Sequence, residues 1–155
     1  MVDAYFLDTS ALVKKYIVET GSPRIGALTK PNSGKQIFLA RITWVETISA
    51  FSRLHRENRI DPNLLDRTLQ VFKADWETGY RIVEIEKPDF EKAGVLVQKH
   101  PLRAYDSIQL ACALKIHAAF VQTARNTLTF LSADNRLISA ARVEGLDVEN
   151  PNHHS

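Results

Sequence analysis

Short apolar runs alternate with helix-patterned segments along this chain, and that alternation restricts its fold more than any other feature. Residues 2–7, 37–40, 81–85, 128–131 and 146–148 read as strands. Helical spacing marks the segments between them: 11–16, a short helix opened by Ser22-Pro23, 43–59, 61–79, 88–100, 106–117 and a last helix ending at 143 or 144. The stretch 118–126 carries no clear pattern. Strands that alternate with helices predict an α/β fold, with a central mostly parallel sheet and helices on both faces. At 155 residues, with no repeat or linker, the chain is expected to form one domain over 1–150 and to end in a disordered tail over 151–155. The closing His153-His154-Ser155 reads as a frayed end or tag remnant rather than a metal site.

Composition excludes several classes. The single cysteine, Cys112, rules out a disulfide framework and a cysteine zinc cluster. No apolar run is long enough to cross a bilayer and no signal peptide opens the chain, so a cytoplasmic protein without membrane contact is expected. No glycine-rich fingerprint follows the first strand, which argues against a dinucleotide-binding domain. A formal net charge of only +2 gives no global signal for nucleic acid. Any such function must rest on a local site.

The acids supply that local signal. Asp8 follows Tyr5-Phe6-Leu7, and Asp134 follows Phe130-Leu131-Ser132-Ala133, so both stand where a strand ends and a helix begins. Open α/β sheets bind ligands beyond the carboxyl ends of their strands. Glu46 sits in the first turn of a helix after a strand, and Asp106 opens an apolar helix. Each acid taken singly is equally a helix cap, and Thr43-Trp-Val-Glu46 and Asp106-Ser-Ile-Gln109 fit capping boxes. Taken together they converge if the strands lie side by side. Converging carboxylates resist joint ionisation unless a cation offsets them. Hard oxygen donors suit Mg²⁺ or Mn²⁺, and such an ion assists phosphodiester hydrolysis.

The ordered set Phe6-Leu-Asp8-Thr9-Ser10-Ala-Leu12, Thr43-Trp-Val-Glu46, Leu102-Arg-Ala-Tyr-Asp106-Ser-Ile-Gln-Leu-Ala111 and Phe130-Leu-Ser132-Ala-Asp134-Asn-Arg-Leu137 resembles the PIN-domain nucleases. Within them it resembles the VapC-type toxins of type II toxin–antitoxin pairs. The resemblance implies a three-layer α/β/α domain and a Mg²⁺- or Mn²⁺-dependent endoribonuclease. It places the catalytic, metal-holding acids at Asp8, Glu46, Asp106 and Asp134, with Thr9, Ser10 and Ser132 as supporting hydroxyls. It further implies an RNA substrate, a cognate antitoxin and a homodimer. Two departures stand out: the link 118–129 is longer than usual, and the chain is long for a compact toxin. They keep a housekeeping RNA-processing nuclease, and a non-catalytic protein- or RNA-binding module, as alternatives. A phosphatase using Asp8 as nucleophile would want a second acid at position 10, where Ser10 stands.

RNA needs cations beside these acids. Lys14, Lys15, Arg41, Arg103, Arg136 and Arg142 flank the motifs, and Arg103 and Arg136 stand within three residues of a proposed ligand. A solvated helix face is the competing reading for each. Trp44 and Trp76 are expected in the core, Cys112 as a small buried hydrophobe, and His117 with Lys115 at the wet end of the 106–117 helix. Leu12, Tyr16, Phe51 and Leu54 nominate a partner groove, but burial in the domain's own core is the favoured fate of each.

Overall fold

The computed structural model describes residues 3–125 and 127–153. Five strands, β1 (Ala4–Leu7), β2 (Gln36–Ala40), β3 (Arg81–Val83), β4 (Leu128–Leu131) and β5 (Asp147–Glu149), form one sheet in the order β3-β2-β1-β4-β5. Every pairing is parallel, so the sheet is wholly rather than mostly parallel. β1 lies at the centre, with Phe6 beside Phe38 and Phe130, and Leu7 beside Leu131. The chain builds outward from β1 to β3 on one side and then crosses back to β4 on the other. The reversal falls between β1 and β4.

Alternating side chains divide the core into two layers. Ala4, Phe6, Ala40, Leu128 and Phe130 face α5 (Lys87–Lys99), α6 (Ala104–Gln122) and α7 (Asn135–Val143). Leu7, Ile37, Leu39 and Leu131 face α1 (Thr9–Leu12), α2 (Ser22–Thr29), α3 (Thr43–Arg56) and α4 (Pro62–Thr78). Period-two strands buried on both faces need such a helix layer on each side. On the second face Trp44, Phe51, Phe72 and Trp76 pack at ring separations of 5.3–6.1 Å and join α3 to α4. Both tryptophans are therefore core, as expected.

Several boundaries differ from expectation for identifiable reasons. The first helix gives way at Val13–Lys15 to a 3-10 turn. β3 ends at Val83 because β2 offers it partners only at Phe38, Leu39 and Ala40. α6 begins at Ala104, two residues before Asp106, and runs on to Gln122 through the unpatterned stretch; Asn126 lies outside the described residues. Lys115 and His117 are consequently mid-helix. Burial, the favoured fate of the residues nominated for a partner groove, holds for Leu12 and Phe51, which are fully buried, and Tyr16 packs edge-on to Phe51 and Phe72. The tail expected from 151 does not begin there. Pro151–His153 form a 3-10 turn with Pro151 buried, and a Cβ on Gly21 (φ +89°) would lie 3.0 Å from the Pro151 carbonyl. Positions 154 and 155 fall outside the described residues.

Candidate active site

Asp8 and Asp134 flank the β1/β4 reversal, the place where an open parallel sheet forms its ligand crevice. The Asp8 N–H donates to Leu131 O at 3.1 Å, carrying the β1–β4 pairing to the sheet edge. Asp8 then caps α1: its Oδ1 accepts from the Ala11 N–H at 2.9 Å and from Ser10 Oγ at 2.7 Å. Its Oδ2 accepts from Ser132 Oγ at 2.6 Å. The two serines also lace the loops together. Ser132 Oγ accepts from the Asp134 N–H at 3.0 Å, and Ser10 Oγ accepts from the Ala133 N–H at 2.9 Å. Asp134 caps α7 through Oδ1, which accepts from the Arg136 N–H at 2.9 Å. The capping expectation therefore holds for Asp8 and Asp134.

It fails for Glu46 and Asp106. Ile42 and Arg103 occupy the cap positions of α3 and α6, neither with a side-chain cap bond. Glu46 instead accepts from Thr9 Oγ1 at 2.9 Å and from the Gln109 amide at 2.8 Å, both at Oε1. Asp106 lies within the first turn of α6, with no cap bond from its side chain. Glu46, Ser49, Ala50 and Arg53 form a helical stripe of α3 that faces the same cavity as Asp106 and Gln109 of α6. Val45, expected on the buried face of α3, is exposed and lines that cavity too.

The cavity holds about 600 Å³ and is lined by all four acids, together with Thr9, Ser10, Lys14, Glu19, Arg53, Arg103 and Tyr105. A side cleft of about 260 Å³ shares Arg103, Asp106 and Asp134 with it and adds Arg136. Of the nominated cations, Arg103 and Arg136 are thus beside the acids. Lys14 lines the cavity but is buried, bonded to Glu19 at 3.0 Å and to the Thr20 carbonyl at 2.7 Å. Lys15 pairs with Asp75, Arg41 pairs with Glu84, and Arg142 lines a separate cavity beside β5.

Electrostatics tie the acids into one unit. Asp8 is 4% exposed. Burial pushes its carboxyl up to about 6, against the hydrogen bonds from Ser132, Ser10 and Ala11, with a smaller push from the Asp106 charge. Asp106 is raised above the usual carboxylate range by burial and by Asp134 and Glu46, while Arg103 opposes. Mutual repulsion of this kind favours a bound cation. Among the described residues, no three His, Cys, Asp or Glu side chains already close up as a ligand set. His100 bonds Glu144, and burial pushes the Cys112 thiol up to about 12, so neither joins the chemistry.

Sequence reasoning missed Arg53, Tyr105 and Gln109. Arg53 had a signal, since it stands seven residues after Glu46 and so lies on the same helix face. Gln109 was assigned to a capping box that the earlier start of α6 removes.

Comparison with known proteins fits this geometry. The PIN domain family model matches residues 5–143. Ribonuclease VapC45 of Mycobacterium tuberculosis is 30% identical over 114 residues, which is 72% of this chain and 75% of that protein. Among solved structures, FitAcB from Neisseria gonorrhoeae superposes with a TM-score of 0.63 at 19% identity, covering 96% of this chain and 99% of that one. A toxin–antitoxin complex from Klebsiella pneumoniae gives 0.60 at 19% identity, covering 95% and 97%.

Proposed function

This chain belongs to the PIN domain family, and from that premise we propose that it is a divalent-metal-dependent endoribonuclease, the toxin of a toxin–antitoxin pair. The observation that carries the reading is the meeting of Asp8, Glu46, Asp106 and Asp134 in one cavity at the sheet reversal. The ribonuclease name of a relative that is 30% identical over 114 residues supports the substrate class.

The donor set fits Mg²⁺ or Mn²⁺. It is all hard oxygen, and Mg²⁺ keeps several waters and takes only one or two carboxylates directly. Asp8, Asp106 and Glu46 are the residues that would hold the ion, with Asp134 completing the site. When bound, the ion supplies charge on the phosphate oxygens and a more acidic water. Asp8 presents its carboxylate in one orientation because Ser10, Ser132 and the Ala11 N–H grip both oxygens. Thr9 holds one oxygen of Glu46, Oε1. Arg103 and Arg136 place the flanking phosphates along the side cleft. Hydrolysis adds water across the P–O3′ bond and leaves a 5′-phosphate and a 3′-hydroxyl.

A cognate antitoxin that places an arginine among the carboxylates would block this cavity by charge-assisted hydrogen bonds. A second copy of the chain is proposed as a homodimer partner. A cytoplasmic location is proposed too; among the described residues no helix is long and apolar enough to cross a membrane. The test is incubation of wild type and Asp106→Asn with RNA, with Mn²⁺ and then with chelator. Cleavage is expected only for wild type with metal. Cleavage by Asp106→Asn at the wild-type rate refutes the assignment, and RNA binding without cleavage points to the non-catalytic module.

A further inference from the structure

Gln109 lies one helical turn beyond Asp106 on α6 and is 2% exposed. Its amide nitrogen is 2.8 Å from Glu46 Oε1, 2.9 Å from Thr43 Oγ1 and 3.3 Å from Thr9 Oγ1. A primary amide has two hydrogens for these three acceptors. Thr9 Oγ1 itself donates to Glu46 Oε1. The two shorter contacts, to Glu46 and Thr43, are the best placed for the two amide hydrogens, and Glu46 Oε1 then receives two donors.

The other end of the side chain makes the arrangement informative. Gln109 Oε1 is buried with no hydrogen-bond partner. Turning the amide over would offer that oxygen to the two threonine hydroxyls, but would set it against the Glu46 carboxylate. The chain thus leaves a buried acceptor unsatisfied and keeps an N–H on Glu46.

We infer that Gln109 is a positioning residue for Glu46, whose amide fixes the rotation of that carboxylate toward the cavity. The inference rests on Glu46 being a metal-holding acid. Groups that orient a ligand carboxylate typically change metal affinity about 10- to 100-fold when removed.

The test is calorimetric titration of RNA-free protein with Mn²⁺ alone. Gln109→Met keeps the shape and removes the amide, and is expected to weaken Mn²⁺ binding about 10-fold or more. The Mn²⁺ concentration for half-maximal RNA cleavage should rise in parallel, with KM for RNA at saturating Mn²⁺ unchanged. Cys112→Ala, buried on the same helix away from the cavity, controls for loss of packing and should keep wild-type affinity. Wild-type affinity in Gln109→Met, or an equal loss in Cys112→Ala, overturns the inference. Should Gln109→Met fail to fold, Gln109→Asn, which withdraws the amide by one methylene, takes its place with the same expected loss. Glu46→Gln separates the two levels. If it binds Mn²⁺ and cuts RNA like wild type, the role of Glu46 falls and this inference with it. If it is impaired while Gln109→Met is not, only the positioning role falls.

Discussion

Replacing Asp8 by asparagine is expected to stabilise the metal-free protein while removing its activity. Burial moves the Asp8 carboxyl from 3.8 to about 6 in the folded state. The folded protein therefore holds this proton more tightly than the unfolded chain, and raising the pH between those values costs stability. A displacement of about two units at ~1.4 kcal/mol per unit is worth about 3 kcal/mol once Asp8 is ionised. An amide is never ionised. It keeps one oxygen to accept from Ser10 and the Ala11 N–H, and Ser132 must rotate its hydroxyl to accept from the new nitrogen. Allowing for that adjustment, Asp8→Asn should gain about 1–3 kcal/mol at pH 7.5, or roughly 3–10 °C in Tm for a domain of this size. The assay is thermal unfolding in chelator from pH 3.5 to 8. At the acid end the variant should be no more stable than wild type, falling below it by that adjustment; it should gain on wild type between about pH 4 and 6 and hold its lead above. Added Mn²⁺ should raise the wild-type Tm and leave the variant almost unmoved, because only the wild type binds it well. A variant less stable than wild type in chelator at pH 7.5, or a gap that ignores pH, would refute the reasoning. It would mean that the three hydrogen bonds outweigh desolvation and that the ionised carboxylate holds the loops together.

Two further outcomes follow from the geometry. Arg103→Ala and Arg136→Ala should each weaken RNA binding and lower the slope of log affinity against log salt by roughly one, measured by fluorescence anisotropy with inactive Asp106→Asn as background; an unchanged slope removes that arginine from the cleft's phosphate contacts. Gly21→Ala should cost about 1–3 kcal/mol in urea unfolding, because it combines a positive φ with a Cβ 3.0 Å from the Pro151 carbonyl, and wild-type stability would show that the C-terminal turn gives way freely.

Much of the fold and the site is legible in the sequence, and the exceptions share a cause. The apolar runs ending at Leu7 and Leu131 declare β1 and β4, and the acids that follow each run declare the crevice. Glu46 and Asp106 come from motif order rather than from local physics, since helix caps and ligands use the same residue types. The fold separates them: Glu46 and Asp106 cap nothing, whereas Asp8 both caps and faces the cavity. Gln109 is hidden in the sequence because its partners Thr9, Thr43 and Glu46 are at least 63 residues away. Val45 misleads through helical spacing, which marks a face as apolar without saying whether it meets a core or a pocket. The competition between nominated cations is likewise settled by partners: Lys15 and Arg41 pair with Asp75 and Glu84 from other segments, which no local pattern announces.

The central position of β1 has a consequence for how the cavity is assembled. β1 meets β4, its second neighbour, only after the chain has passed through β2, β3 and the helices between them. Until β4 and Ser132 are in place, Asp8 lacks that hydroxyl, and the crevice has only one wall. A nascent or prematurely terminated chain therefore carries Asp8, Glu46 and even Asp106 without a pocket to gather them. Closure of the cavity waits on a long-range strand pairing that no local segment can supply.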